Sequence, residues 1–241
     1  MSKTKTLIIF YTGVAAVCVG ILCVVYLYIL PKIRMQSAES ESFMNVGQQV
    51  EQQWFPIGKD LVAQNQGGET VRLSDLRGKV WVVAEFFAVC PHCMARNGAE
   101  LTGIYNEFKD HPDFHMVCIS VDPEADNVER LKEYGEVLNA DVSDWWFLNA
   151  GEEKATHEYL ENTLKFFGIR ERTDPEDIEA NGRFQHDMGL LLVDRDFNVV
   201  GKWPLSDARS EEGRKLNPTL YEDLKKEMFD RIATELAKDS E

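Results

Sequence analysis

Residues 80–89 read VWVVAEFFAV, a near-continuous apolar run that ends on a cysteine pair, Cys90 and Cys93. A strand with one face in water alternates apolar and polar residues. This one does not, so it must be covered on both faces, as in a sheet flanked by helices. Just beyond the pair, Leu101, Ile104, Tyr105 and Phe108 recur at helical spacing, which predicts a helix over about 91–110. The cysteines therefore sit where a buried strand becomes a helix. The N-terminus of a helix carries partial positive charge and unpaired N–H groups. It stabilises a thiolate and lowers a cysteine pKa from about 8.5 by about one unit or more. A thiolate is both a nucleophile and a soft metal ligand. Strand–CxxC–helix is the sign of a thioredoxin-like site, and it leaves two chemistries open, passing electrons or holding a metal. There is no second CxxC, so one chain cannot build a closed four-cysteine zinc site.

The rest of the chain supplies the other layers. Gln66-Gly67-Gly68 predicts a hairpin turn between short strands, and LSDLRGK a short turn ended by Gly78. FHMVCISVD (114–122) and MGLLLVD (188–194) predict two more buried strands, and RDFNVVGKWP a hairpin strand after them. VERLKEYGEVL (128–138) predicts a helix, and WWFL a short apolar piece. Tyr159, Leu160, Leu164 and Phe167 share one helical face. Asn217-Pro218 predicts the start of a last helix over about 218–238, with a side-chain cap and proline in its first turn. Its residues Leu220, Leu224, Met228, Ile232 and Leu236 form one apolar face. Strands alternating with helices, then an antiparallel hairpin, predict a three-layer α/β domain with a central mixed sheet.

Residues 7–30, LIIFYTGVAAVCVGILCVVYLYIL, carry no charge. A bilayer core takes about 20 helical residues. The stretch is longer than a signal-peptide core and has no clear small-residue cleavage site, so it reads as one retained N-terminal transmembrane helix. Tyr11, Tyr26 and Tyr28 lie towards its two ends, where amphipathic rings favour the interface. The division that follows is a membrane anchor at 1–34, a polar tether at 35–55, a thioredoxin-like domain at 56–206, and a C-terminal helix at 207–241 packing on that domain. Lys3 and Lys5 flank the segment on one side and Lys32 and Arg34 on the other, which gives almost no positive-inside bias. The cysteine site favours the extracytoplasmic side for the domain. Cys18 and Cys23 read as packing residues of the segment. From residue 35 onward, 22 basic residues face 41 acidic ones, a balance of −19. Such a surface repels nucleic acid, so nucleic-acid binding is excluded as a function.

Three stretches together, LSDLRGKVWVVAEFFAVCPHC, ISVDPEADNVERLKEY and FQHDMGLLLVDRDFNVVGKW, resemble the Sco/SenC family over roughly residues 57–205. The resemblance implies a membrane-anchored protein of thioredoxin-like fold that binds copper through two cysteines and a distant histidine. It also implies a role in building the copper-A site of cytochrome c oxidase, with an oxidase subunit or another copper or thiol protein as partner. By the resemblance Cys90 and Cys93 fall on the family's cysteine pair and His186 on its histidine. Two thiolates and an imidazole suit Cu(I), and the same set can bind Cu(II). The family's spacing is CxxxC; here it is CPHC, one residue shorter and followed by Met94 in place of proline. CPHC is also the choice of strongly oxidising DsbA-type oxidoreductases, so a thiol–disulfide role for the Cys90–Cys93 pair stands beside copper delivery. His92 reads as a tuner of the cysteines, and Met94 as packing.

Oxidoreductases of this fold place a cis-proline just before the strand facing the pair. That place is about Met188 here, and no proline lies between Pro175 and Pro204, which favours metal handling. A peroxidase is disfavoured because Ala88 and Val89 stand where its threonine would be. His111, His115 and His157 read as surface residues, and ERTDPEDIE (171–179) as a solvated acidic loop.

Overall fold

A computed structural model of the chain describes residues 55–88 and 97–238. The chain divides into Met1–Glu51 and Gln52–Glu241, and all described residues belong to the second part. The anchor, nearly all of the tether, and Cys90, His92, Cys93 and Met94 lie outside the described residues. Among the described residues no helix is long and apolar enough to cross a membrane.

The strands are β1 (Phe55–Pro56), β2 (Val62–Asn65), β3 (Thr70–Arg72), β4 (Val80–Phe86), β5 (Phe114–Ser120), β6 (Trp145–Asn149), β7 (Arg170–Glu171), β8 (Phe184–Gln185), β9 (Leu190–Val193) and β10 (Asn198–Trp203). The α-helices are α1 (Ala99–Phe108), α2 (Val128–Leu138), α3 (Glu153–Asn162), α4 (Pro175–Asn181), α5 (Leu205–Arg209), α6 (Glu211–Leu216) and α7 (Leu220–Leu236). Eight strands form one mixed sheet in the order β1-β10-β9-β4-β5-β6-β2-β3, and β7 and β8 form a separate ribbon. The centre, β4-β5-β6, is parallel. β9 and β10 add antiparallel on one side and β2 and β3 on the other.

Every residue of β4 and of β5 is buried, as their lack of alternation requires. Side-chain alternation along the pleat splits the core in two. Trp81, Val83, Val117, Ile119, Leu191 and Val193 pack on one face with Tyr159 and Leu160 of α3 and with Leu164. The opposite face carries Phe86, Trp145 and Phe147. There Tyr105 of α1 packs on Trp145, and Tyr134 of α2 packs on Phe86 and Phe147. Phe229 of α7 joins this side through Phe108 of α1. Helices thus cover both faces, which makes the three layers.

Several local expectations shift. The first helix is described from Ala99 and ends at Phe108, a little short of 110. The last helix begins at Leu220. Asn217 does not cap it: its Oδ1 accepts from the Thr219 N–H and Oγ1 at 3.1 Å each, holding the turn before the helix. Between β10 and α7 the chain makes two short helices, α5 and α6, where a single later helix was expected. Gly213 lies against the α5 carbonyls so closely that a Cβ there would sit 2.5 Å from the Asp207 oxygen. The 65–70 hairpin is built as expected. Gly68 takes φ +81°, and the Asn65 side chain accepts from the Gly67 and Glu69 N–H groups at 2.9 and 3.0 Å. Of the shared face proposed for 159–167, Tyr159, Leu160 and Leu164 are buried, but Phe167 is 51% exposed.

Candidate functional site

β4 pairs antiparallel with β9, so Ala84 faces Leu190 and the end of β4 lies beside the loop that leads into β9. That loop carries His186, Asp187 and Met188. Contacts tie it to the chain on both sides of the undescribed cysteine segment. Before the segment, the Asp187 N–H donates to Glu85 Oε2 at 2.9 Å, and the rings of Phe87 and His186 meet edge-on at 5.4 Å. After the segment, Asn97 Nδ2 donates to the Met188 carbonyl at 3.4 Å. Cys90 follows Ala88 by two residues in the sequence. The loop bearing His186 thus touches both ends of the stretch that holds Cys90 and Cys93.

The His186 side chain is 4% exposed. Its Nδ1 lies 2.9 Å from the Asp187 carbonyl oxygen. A carbonyl only accepts, so Nδ1 carries the hydrogen, and in the neutral ring the lone pair is on Nε2. That tautomer leaves Nε2 as the nitrogen able to ligate a metal. The donor set of two soft thiolates and one imidazole nitrogen fits copper. Among the described residues no cluster of three or more His, Cys, Asp or Glu side chains is arranged to hold a metal.

Asp187 organises the loop. Its Oδ1 accepts from the Gly189 N–H at 2.7 Å and its Oδ2 from the Phe167 N–H at 2.8 Å. The ammonium of Lys202 also bonds Oδ2, and both side chains are almost wholly buried. Lys202 lies 4.0 Å from the Phe167 ring centre, so a cation–π contact accompanies the ion pair. Burial pushes the Glu85 carboxyl above the ordinary glutamate range, and the adjacent His186 works against that shift.

On the other side of β4, the Ala88 N–H donates to both carboxylate oxygens of Asp126 at 3.1 and 3.0 Å. Ser120 Oγ donates to the same group at 2.6 Å. Burial pushes Asp126 up to about 6, with these hydrogen bonds opposing. The backbone two residues before Cys90 is thereby pinned to the end of β5.

Glu85, Phe87, Asn97 and Asp126 are absent from the sequence reading of the site. A signal existed for Glu85, which is the lone charge in an otherwise apolar buried strand. The other three carry none that composition or spacing reveals.

His115 is not a surface residue. It is 1% exposed, it packs edge-on against Trp146 at 4.4 Å, and burial lowers its pKa to about 3. Its position in β5 points it into the core, where a fully covered strand leaves no wet face. His157 is half-buried, with Nε2 2.7 Å from the Val121 carbonyl. The acidic stretch 171–179 contains most of α4, capped by Asp174. Glu171 there is paired with Arg183, which also meets Glu153 and Asp122. Cys118 is buried, with its thiol pushed up to about 12, so it is inert packing.

The SCO1/SenC family matches residues 49–220. The SCO1 protein homolog of Bacillus subtilis (strain 168) is 26% identical over 172 residues, which covers 68% of this chain and 86% of that one. The solved structure of BsSco, a member of the Sco family of cytochrome c oxidase assembly proteins in which a disulfide switch was identified, aligns with a TM-score of 0.58. Identity is 20%, over 78% of this chain and 98% of that one. Yeast Sco1 with copper bound aligns with a TM-score of 0.54 and 16% identity, over 77% of this chain and 91% of that one. Likeness at such identity speaks for the fold, which is thioredoxin-like α/β with a mixed central sheet.

Proposed function

Because the chain belongs to the SCO1/SenC family, we propose that it is a copper-binding metallochaperone for cytochrome c oxidase assembly, with Cys90, Cys93 and His186 as the copper ligands. The observation that supports this most is the loop of His186, which touches residues on both sides of the cysteine segment. Copper is cargo here. Two thiolates and Nε2 of His186 hold it, and it leaves by exchange onto the ligands of a recipient, with no covalent bond of a substrate made or broken. Cu(I) matches the soft sulfur donors, and the imidazole extends the set to Cu(II). Residues 7–30 anchor the protein in the membrane, with the domain on the extracytoplasmic side, where the copper-A subunit of the oxidase presents its ligands.

The CPHC spacing supports a second role for the same pair. The Cys90 thiolate attacks a partner disulfide and releases one partner thiolate. Cys93, as thiolate, then attacks the Cys90 sulfur and releases the other. Two electrons pass to the partner and the site pair ends as a disulfide. This would keep the copper-binding cysteines of a recipient reduced.

Titrating the reduced, oxygen-free protein with Cu(I) against a competing chelator tests the first role. One copper per chain is expected, lost in Cys90→Ser and in Cys93→Ser. His186→Ala should weaken binding at least tenfold, about 1.4 kcal/mol, while leaving thiol–disulfide exchange intact. Copper affinity indifferent to His186 would leave only the exchange role standing.

A further inference from the structure

Glu85 is the one charged residue in β4, and its side chain is fully buried. A buried carboxylate is costly to keep unless it does something an apolar residue cannot. Its Oε2 accepts from the Asp187 N–H at 2.9 Å and lies 3.7 Å from His186 Nδ1, an electrostatic contact longer than a hydrogen bond. Its Oε1 is buried and has no hydrogen-bond partner among the described residues. The carboxylate therefore faces the N–H edge of the imidazole, beside the Asp187 carbonyl that accepts from the same nitrogen. Phe87, two residues on in the chain, packs edge-on against the ring.

A metal-bound histidine usually gives its second N–H to a carboxylate or a carbonyl, which fixes the ring and its tautomer. Here both acceptor types converge on Nδ1. We propose that Glu85 is a positioning residue of the copper site: its buried carboxylate orients the His186 ring and holds the loop at Asp187, so that Nε2 is the nitrogen presented to copper. This inference rests on the copper-binding reading above. Glu85 does not touch the metal and acts only through His186 and its loop.

A purely structural role for Glu85 makes a different forecast. Satisfying the Asp187 N–H needs only an acceptor oxygen, which glutamine also offers. Glu85→Gln puts an amide where the carboxyl faces Nδ1 and keeps the shape. In the full chain in detergent, reduced and free of oxygen, Glu85→Gln should lower Cu(I) affinity about tenfold or more, in the range that outer-shell partners of ligating histidines command. In a His186→Ala background the same substitution should change nothing further. Nitrogen-15 spectra of the copper-free wild type should show His186 with its hydrogen on Nδ1, and Glu85→Gln should shift that tautomer balance. Wild-type affinity in Glu85→Gln would overturn the proposal, as would an equal loss in both backgrounds, or a copper-free wild type protonated on Nε2. That last measurement needs no variant to fold. If His186→Ala itself leaves copper binding unchanged, the copper reading falls and the role of Glu85 falls with it. If His186 matters and Glu85 does not, only the inference fails.

Discussion

Asp126 lies fully buried in the loop between β5 and α2 and takes the Ala88 N–H on both oxygens. Its carboxyl, raised to about 6 by burial, binds a proton more tightly in the fold than in the unfolded chain. Its contribution to stability is therefore complete below about pH 4 and is lost as pH rises towards 6. Two pKa units correspond to a loss of at most about 3 kcal/mol. Glu85, also raised, adds in the same direction. Asp126→Asn should flatten the pH 4–6 limb of a denaturant-measured stability profile. An unchanged limb would contradict this account of Asp126. At this scale the sequence was legible only in part. His186 is proposed as a ligand through its place in a family motif, since a lone histidine in a polar loop has no spacing to mark it. His115 was misread because the polarity of a residue says nothing of its position in a strand covered on both faces. Asp126 meets Ala88 across 38 residues of sequence, and no local pattern encodes such a meeting.

The β7–β8 ribbon and α4 between its strands press on the site from outside. Gly182 ends α4 with φ +78°, and a Cβ built there would lie 2.1 Å from Phe87 Cε2. Phe87 is the ring against which His186 rests. Gly182→Ala should destabilise the fold by about 1–3 kcal/mol through overpacking and a left-handed backbone that alanine resists. In a Phe87→Ala background, which opens the space, the cost should shrink towards the backbone share alone. Equal cost in both backgrounds, measured by chemical unfolding, would mean that the ring contact is unimportant. The long elements were readable from sequence. α2 spans the predicted 128–138, and β4 and β5 follow from unbroken apolar runs. The ribbon, α5 and α6 were not, because elements of two to six residues lack a sustained hydrophobic pattern and depend on the surfaces they land on.

Across the whole molecule, the sheet order brings residues 85–88 and 186–188 together although about a hundred positions separate them. Inserting β9 antiparallel beside β4 achieves this, and it brings the loop of His186 to the residues on either side of the cysteine segment. The chain's marked acidity gives it a surface that repels nucleic acid. Three layers and a mixed sheet were legible from the alternation of buried strands and amphipathic helices. That the last hairpin pairs with the first long strand was not, because pairing register is decided by packing between distant segments.

The central claim is that His186 joins Cys90 and Cys93 on one copper ion. X-ray absorption at the copper edge of the Cu(I)-loaded protein tests it most directly. Two sulfur neighbours and one nitrogen neighbour are expected, with the nitrogen lost in His186→Ala and both sulfurs retained. A shell of sulfur alone in the wild type, unchanged by His186→Ala, would contradict the claim.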